Sequence, residues 1–89
     1  MLEDKVYTAS MIYTYDLGEL VSENSVSCRI GKDDIFIQTR EGQYDGMRKG
    51  NSFYFNNSSS LHWDENLKGL IGWWIQDGYE GFWKLENFR

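Results

Sequence analysis

The strongest constraint on this chain is the pair Asp77-Gly78, set between two aromatic runs that alternate along the backbone. A two-residue hairpin turn of type I′ needs positive φ at both central positions, which Asp-Gly tolerates at little steric cost. Folding about that turn sets the register of Leu67 to Arg89: Gln76 faces Tyr79, Trp74 faces Gly81, Gly72 faces Trp83 and Leu70 faces Leu85. Each of these two tryptophans lies opposite a glycine, so both indoles share one layer without colliding. The other face carries Ile71, Trp73, Ile75 and Phe82, mixed with Glu80, Lys84 and Glu86. A hairpin that is apolar on both faces needs a cover beyond its own core: further strands, a second subunit or a partner.

Short alternating segments recur upstream. Val6 to Tyr15 places Tyr7, Ala9, Met11, Tyr13 and Tyr15 on one side, and Ser25 to Ile30 places Val26, Cys28 and Ile30 together. Ile35 and Ile37 alternate with Phe36, Phe53 and Phe55 oppose Tyr54, a weak segment spans Gln43 to Arg48, and a short one carries Leu61 and Trp63. Turn signals every ~8–12 residues predict an all-β fold: a small antiparallel meander of about seven or eight short strands, closing into a barrel or sandwich. Residues 1–89 read as a single β domain. Asp16-Leu17-Gly18-Glu19 has the form of a capping box, so residues 16–24 read as a loop with one short helical turn near 16–23. Gly42-Gln-Tyr-Asp-Gly46 faintly echoes Gly78-Tyr-Glu-Gly81, each bracketing a tyrosine and an acid with glycines.

With 89 residues the chain must concentrate burial in large side chains, and 17% of it is aromatic. The net charge of −5, spread from Glu3 to Glu86, argues against nucleic acid, whose phosphates need Lys and Arg. It suits association with a basic protein surface. The start Met1-Leu-Glu-Asp-Lys has neither the basic nor the apolar region of a leader, and no apolar run approaches a membrane span, so a cytoplasmic protein is expected. The absence of proline leaves strand edges blunted only by charge and glycine, which makes a homodimer through an exposed edge, or through the Trp73 face, a live expectation.

Asn66-Leu-Lys-Gly69, then Gly72-Trp73-Trp74 and Gly81-Phe-Trp83-Lys-Leu85, resemble the closing strands of small lipocalin-like (calycin-type) β-barrels. The resemblance covers residues 34–89 and departs from the family in lacking an N-terminal Gly-x-Trp element, with Tyr13 and Tyr15 where that element would be sought. It implies that Asn66 initiates a turn, that Gly69 and Gly72 let a strand bend, and that Trp83 plugs the barrel. The chain is shorter than family members usually are, which leaves little space for a ligand cavity.

Catalytic chemistry finds few residues. The single histidine, His62, points away from Leu61 and Trp63 on a strand, toward solvent, and the single cysteine, Cys28, sits on an apolar face as a small core residue. One Cys and one His make no ordinary zinc site, Asp33-Asp34 and Asp64-Glu65 lie in turns, and no glycine loop precedes a helix. No enzyme, metal or cofactor is expected. Two readings stay open, and the sequence favours the first. The first is an acidic inhibitor- or immunity-type module that occludes a basic site on a partner protein through Trp73, Phe82, Ile71, Ile75, Glu80 and Glu86. The second is a small barrel binding an apolar or aromatic molecule, with Tyr7, Tyr13, Tyr15, Trp74 and Trp83 facing a cavity.

Overall fold

A computed structural model describes residues 4–15 and 18–89. Eight antiparallel strands follow in chain order: β1 (Lys5–Thr14), β2 (Leu20–Ile30), β3 (Asp34–Gln38), β4 (Gln43–Lys49), β5 (Ser52–Phe55), β6 (Ser60–Asp64), β7 (Gly69–Gln76) and β8 (Tyr79–Glu86). Each pairs with its successor, and β8 returns to β1 from Ser10↔Glu86 to Tyr13↔Trp83, which closes a barrel rather than a sandwich. Closure pairs both outer strands of the meander with each other, and the edge left over is the start of β2, whose pairing with β3 runs only from Ser27 to Ile30. Where β8 has ended, the chain terminus continues the pairing: Thr8 and Arg89 exchange two backbone hydrogen bonds of 2.9 Å.

The hairpin register is the one that the Asp-Gly turn dictates, with Leu70↔Leu85, Gly72↔Trp83, Trp74↔Gly81 and Gln76↔Tyr79 paired. Asp77 and Gly78 have φ of 53° and 82°, as a type I′ turn requires. Inward-facing residues alternate along the strands, and Ala9, Cys28, Ile37, Leu61, Leu70 and Leu85 are completely buried. Each fully buried Leu or Ile contributes about 1.5–3 kcal/mol relative to exposure, the main driving force for closure.

Strand β2 begins earlier than its alternation suggests. Ala9 pairs with Val26 but Met11 pairs with Glu23, so Asn24 and Ser25 together oppose Ser10 in a β-bulge. The extra residue swaps the inward parity: Val26, Cys28 and Ile30 face in below the bulge, Glu23 above it. Leu20 to Asn24 are therefore strand, not the loop and helical turn expected there. Asp16, the expected cap, lies outside the described residues.

In an up-and-down barrel alternate connections share an end. The end holding the β2–β3, β4–β5 and β6–β7 connections is closed. Arg48 lies across it with its side chain only 9% exposed, ion-paired to Asp4 at 3.2 Å. Its Nη1 donates to the Gly31 carbonyl at 3.0 Å and its Nε to that of Gly50 at 2.9 Å. Phe88 packs edge-on to Tyr7 at 5.5 Å and tilted against Trp63 at 6.3 Å. Tyr7 thus belongs to the closed end and not to a cavity wall. The β6–β7 turn is initiated by Asp64 rather than Asn66, since Asp64 Oδ1 accepts from the backbone N–H of Asn66 at 2.9 Å and of Leu67 at 3.0 Å.

Candidate functional site

The opposite end is open. There the barrel holds a cup of about 500 Å³, bounded by the ends of β1, β4, β7 and β8 and by the β3–β4 and β5–β6 connections. This exceeds the roughly 300 Å³ at which ligand pockets begin. The space exists because of how the two tryptophans lie. Trp83 on β8 passes over Gly72 of β7 and donates its Nε1–H to the Ser60 carbonyl on β6 at 2.9 Å. Trp74 on β7 passes over Gly81 of β8 and donates to the Thr14 carbonyl on β1 at 3.1 Å. Each indole therefore lies along the inner wall over a glycine, anchored two strands away. A Cβ on Gly81 would sit 2.8 Å from Trp74 Nε1, so a side chain there would push the indole from this position. Trp83, expected as a plug, is 3% exposed and forms the floor with Met11.

Tyr44 meets Trp83 edge-on with ring centroids 5.7 Å apart, and Phe55 does so from below at 5.3 Å. Tyr13 and Tyr15 continue the wall along β1, also edge-to-face, at 6.3 Å. The Tyr44 hydroxyl donates to Gln76 Oε1 at 3.5 Å across the mouth. The rim is held by local polar contacts. Thr39 Oγ1 accepts from the backbone N–H of Glu41 (3.1 Å) and of Gly42 (3.2 Å), which fixes the β3–β4 turn and brings Glu41 to the cup. The buried carboxylate of Glu23 accepts from the Arg40 backbone N–H at 3.0 Å and pairs with the Arg40 guanidinium at 3.5 Å. Ser59, 2% exposed, accepts from the Ile75 N–H at 2.8 Å and so ties the β5–β6 loop to β7.

The electrostatics are one-sided. Burial raises the phenol pKa of both Tyr13 and Tyr44, and the nearby Glu41 carboxylate raises both further, with Glu23 adding to the effect. Glu41 and Asp77 line the cup, and no Lys, Arg or His does among the described residues. The phenols stay protonated at neutral pH and can donate or accept hydrogen bonds; the two indole N–H groups are already committed to backbone.

Of the residues singled out in the sequence, Tyr13, Tyr15, Trp74 and Trp83 come together in this cup. Trp73, Phe82, Ile71, Ile75, Glu80 and Glu86 lie on the outer face of β7 and β8 instead. Trp73 is 47% exposed and pairs across the strands with half-buried Phe82; Glu86 is ion-paired to Lys84 at 3.4 Å. His62 is exposed and within 2.8 Å of Ser52 Oγ. Cys28 is buried, and desolvation pushes its thiol up to about 12. No cluster of His, Cys, Asp or Glu suited to a metal ion occurs among the described residues, and none of their helices is long and apolar enough to cross a membrane.

Tyr44, Glu41, Thr39, Ser59 and Gln76 escaped sequence reasoning. The echo between Gly42-Gln-Tyr-Asp-Gly46 and Gly78-Tyr-Glu-Gly81 was the one available signal, since Tyr44 and Tyr79 both reach the cup. Comparison with protein-family models, curated proteins and solved structures finds no match to this chain.

Proposed function

We propose that this barrel is a carrier or receptor for one small apolar or aromatic molecule, held in the cup at its open end. The observation that carries the reading is the cavity of about 500 Å³ walled by Tyr13, Tyr15, Tyr44, Trp74 and Trp83. Aromatic walls with a few polar groups at the mouth are the usual make-up of small-molecule sites. Holding both indoles against the barrel wall keeps the cup open in the empty protein, so binding does not require prior rearrangement. The resemblance to lipocalin-like barrels is consistent with this use, and the eight-stranded antiparallel closure supplies the architecture it needs.

Titration with the neutral fluorophore N-phenyl-1-naphthylamine tests the reading. Saturable one-to-one binding, with quenching of tryptophan emission and at least about tenfold weakening in a folded Trp74→Leu variant, is expected. A flat response would refute it.

A second reading has its own observation. Trp73 stands 47% exposed beside Phe82, with Ile71 and Ile75 on the same outer face and Glu80 at its margin. On this reading the chain is an acidic module that occludes a basic site on a protein partner. Loss of partner capture in Trp73→Ser, with the fold intact, is its test.

A further inference from the structure

Resting on the proposal that the cup holds a ligand, we infer that the ligand is an organic cation, an alkylated or aromatic ammonium compound. Six aromatic rings face the cup: Tyr13, Tyr15, Tyr44, Tyr79, Trp74 and Trp83. The faces of such rings carry negative electrostatic potential and attract ammonium groups, most strongly where water is excluded. Glu41 and Asp77 add formal negative charge at the mouth, and none of the lining residues is positive. Among the described lining residues an anionic ligand would meet two carboxylates and no cation.

Donor supply points the same way. The Trp74 and Trp83 indole N–H groups are bonded to the Thr14 and Ser60 carbonyls. What the Trp74 indole leaves facing the cup is π surface, whereas Trp83 is only 3% exposed beneath its contacts with Tyr44 and Phe55. The backbone N–H groups of Glu41 and Gly42 are likewise taken up by Thr39 Oγ1. A carboxylate or phosphate guest would find phenol hydroxyls and the Asn57 and Gln76 amides, but no charged donor of the kind that holds anions tightly, among the described lining residues. Glu41 already acts on the phenols of Tyr13 and Tyr44, so its field reaches into the aromatic wall.

Three benzyl compounds make the test: benzyltrimethylammonium, its neutral carbon isostere neopentylbenzene, and the smaller anion phenylacetate. Each is titrated against the full chain by tryptophan fluorescence, with N-phenyl-1-naphthylamine displacement as a second readout. The cation is expected to bind at least about tenfold more tightly than the neutral isostere, with phenylacetate weaker than both. Glu41→Gln, at the mouth of the cup, is expected to weaken the cation about threefold more than it weakens the neutral ligand. If the isostere or phenylacetate binds as well as the cation, the cation assignment is overturned while the cup remains a ligand site. If none of the three binds and the neutral fluorophore does not either, the cup reading itself fails and the inference falls with it.

Discussion

Gly72→Ala puts the construction of the cup to a direct test. A Cβ at Gly72 would fall inside the van der Waals shell of the Ser60 carbonyl oxygen, 2.7 Å from its carbon and 3.0 Å from Leu61 Cα. All three atoms are backbone of β6 and cannot swing aside, so β6 and β7 must separate. That overpacking costs about 1–3 kcal/mol. The same Ser60 oxygen accepts the Trp83 indole N–H, and displacing it leaves a buried donor unpaired, a further ~1–3 kcal/mol. Lower entropy of the unfolded chain returns about 0.4–1 kcal/mol. The net expectation is a loss centred on about 3 kcal/mol, within a span of about 1–5.5, against a total of ~5–15 for a domain of ordinary stability. The midpoint of thermal unfolding should drop by roughly 10–30 °C. Urea unfolding followed by tryptophan fluorescence and by far-UV circular dichroism measures the loss. Gly81→Ala is the internal comparison. There the added methyl meets Thr14 Oγ1 and Trp74 Nε1, which are side-chain atoms able to move, so a smaller loss of about 1–2 kcal/mol is expected. A Gly72→Ala variant within about 0.5 kcal/mol of the parent, or less damaged than Gly81→Ala, would refute the reading that β6 and β7 approach too closely at Gly72 to admit a Cβ.

Three further outcomes follow from the same contacts. Trp73→Ser on the outer face should cost less than about 1.5 kcal/mol, against about 3–5 for Trp83→Ala at the floor; equal losses in denaturant titrations would mean that the outer hairpin face is structural core. The Cys28 thiol has a pKa of about 12 when folded against 9.0 free, so the folded state holds its proton more tightly. Its contribution is intact below about pH 9 and declines as pH rises toward 12, reaching a loss of about 2 kcal/mol near pH 10.5; the parent should lose more stability between pH 8 and 10.5 than Cys28→Ala, and parallel losses would contradict the burial argument. Glu41→Gln should lower the pKa of both Tyr13 and Tyr44, whose phenols are held up by burial first and by this carboxylate next; unchanged ultraviolet titration curves would show that Glu41 does not act on the cup.

The aromatic hairpin was legible because its determinants are local. Asp77-Gly78 specifies the turn, the turn specifies the register, and the register places Trp74 against Gly81 and Trp83 against Gly72. The alternations in β1, β3 and β5 were legible for the same reason, since one face of each strand must be buried. Strand β2 was not, because its bulge at Asn24 and Ser25 reverses the parity halfway along and makes Val21 and Glu23 look out of phase with Val26. Nothing in the local pattern marks the bulge; it is defined by pairing with Met11 and Ala9 on another strand.

The sequence by itself therefore determined an all-β meander, its main turns and most of its inward residues, because turn chemistry and period-two burial act over a few neighbouring residues. Only the tertiary structure decided between barrel and sandwich, since that depends on β1 meeting β8 across some seventy positions of chain. It also decided that there is a cup. Whether an indole crosses the lumen or lies along its wall rests on carbonyl acceptors two strands away, at Thr14 and Ser60, which no local pattern reveals. The meander alone puts the β3–β4 and β7–β8 turns at one end, but it is closure that gathers Glu41, Tyr44 and Asp77 around one opening.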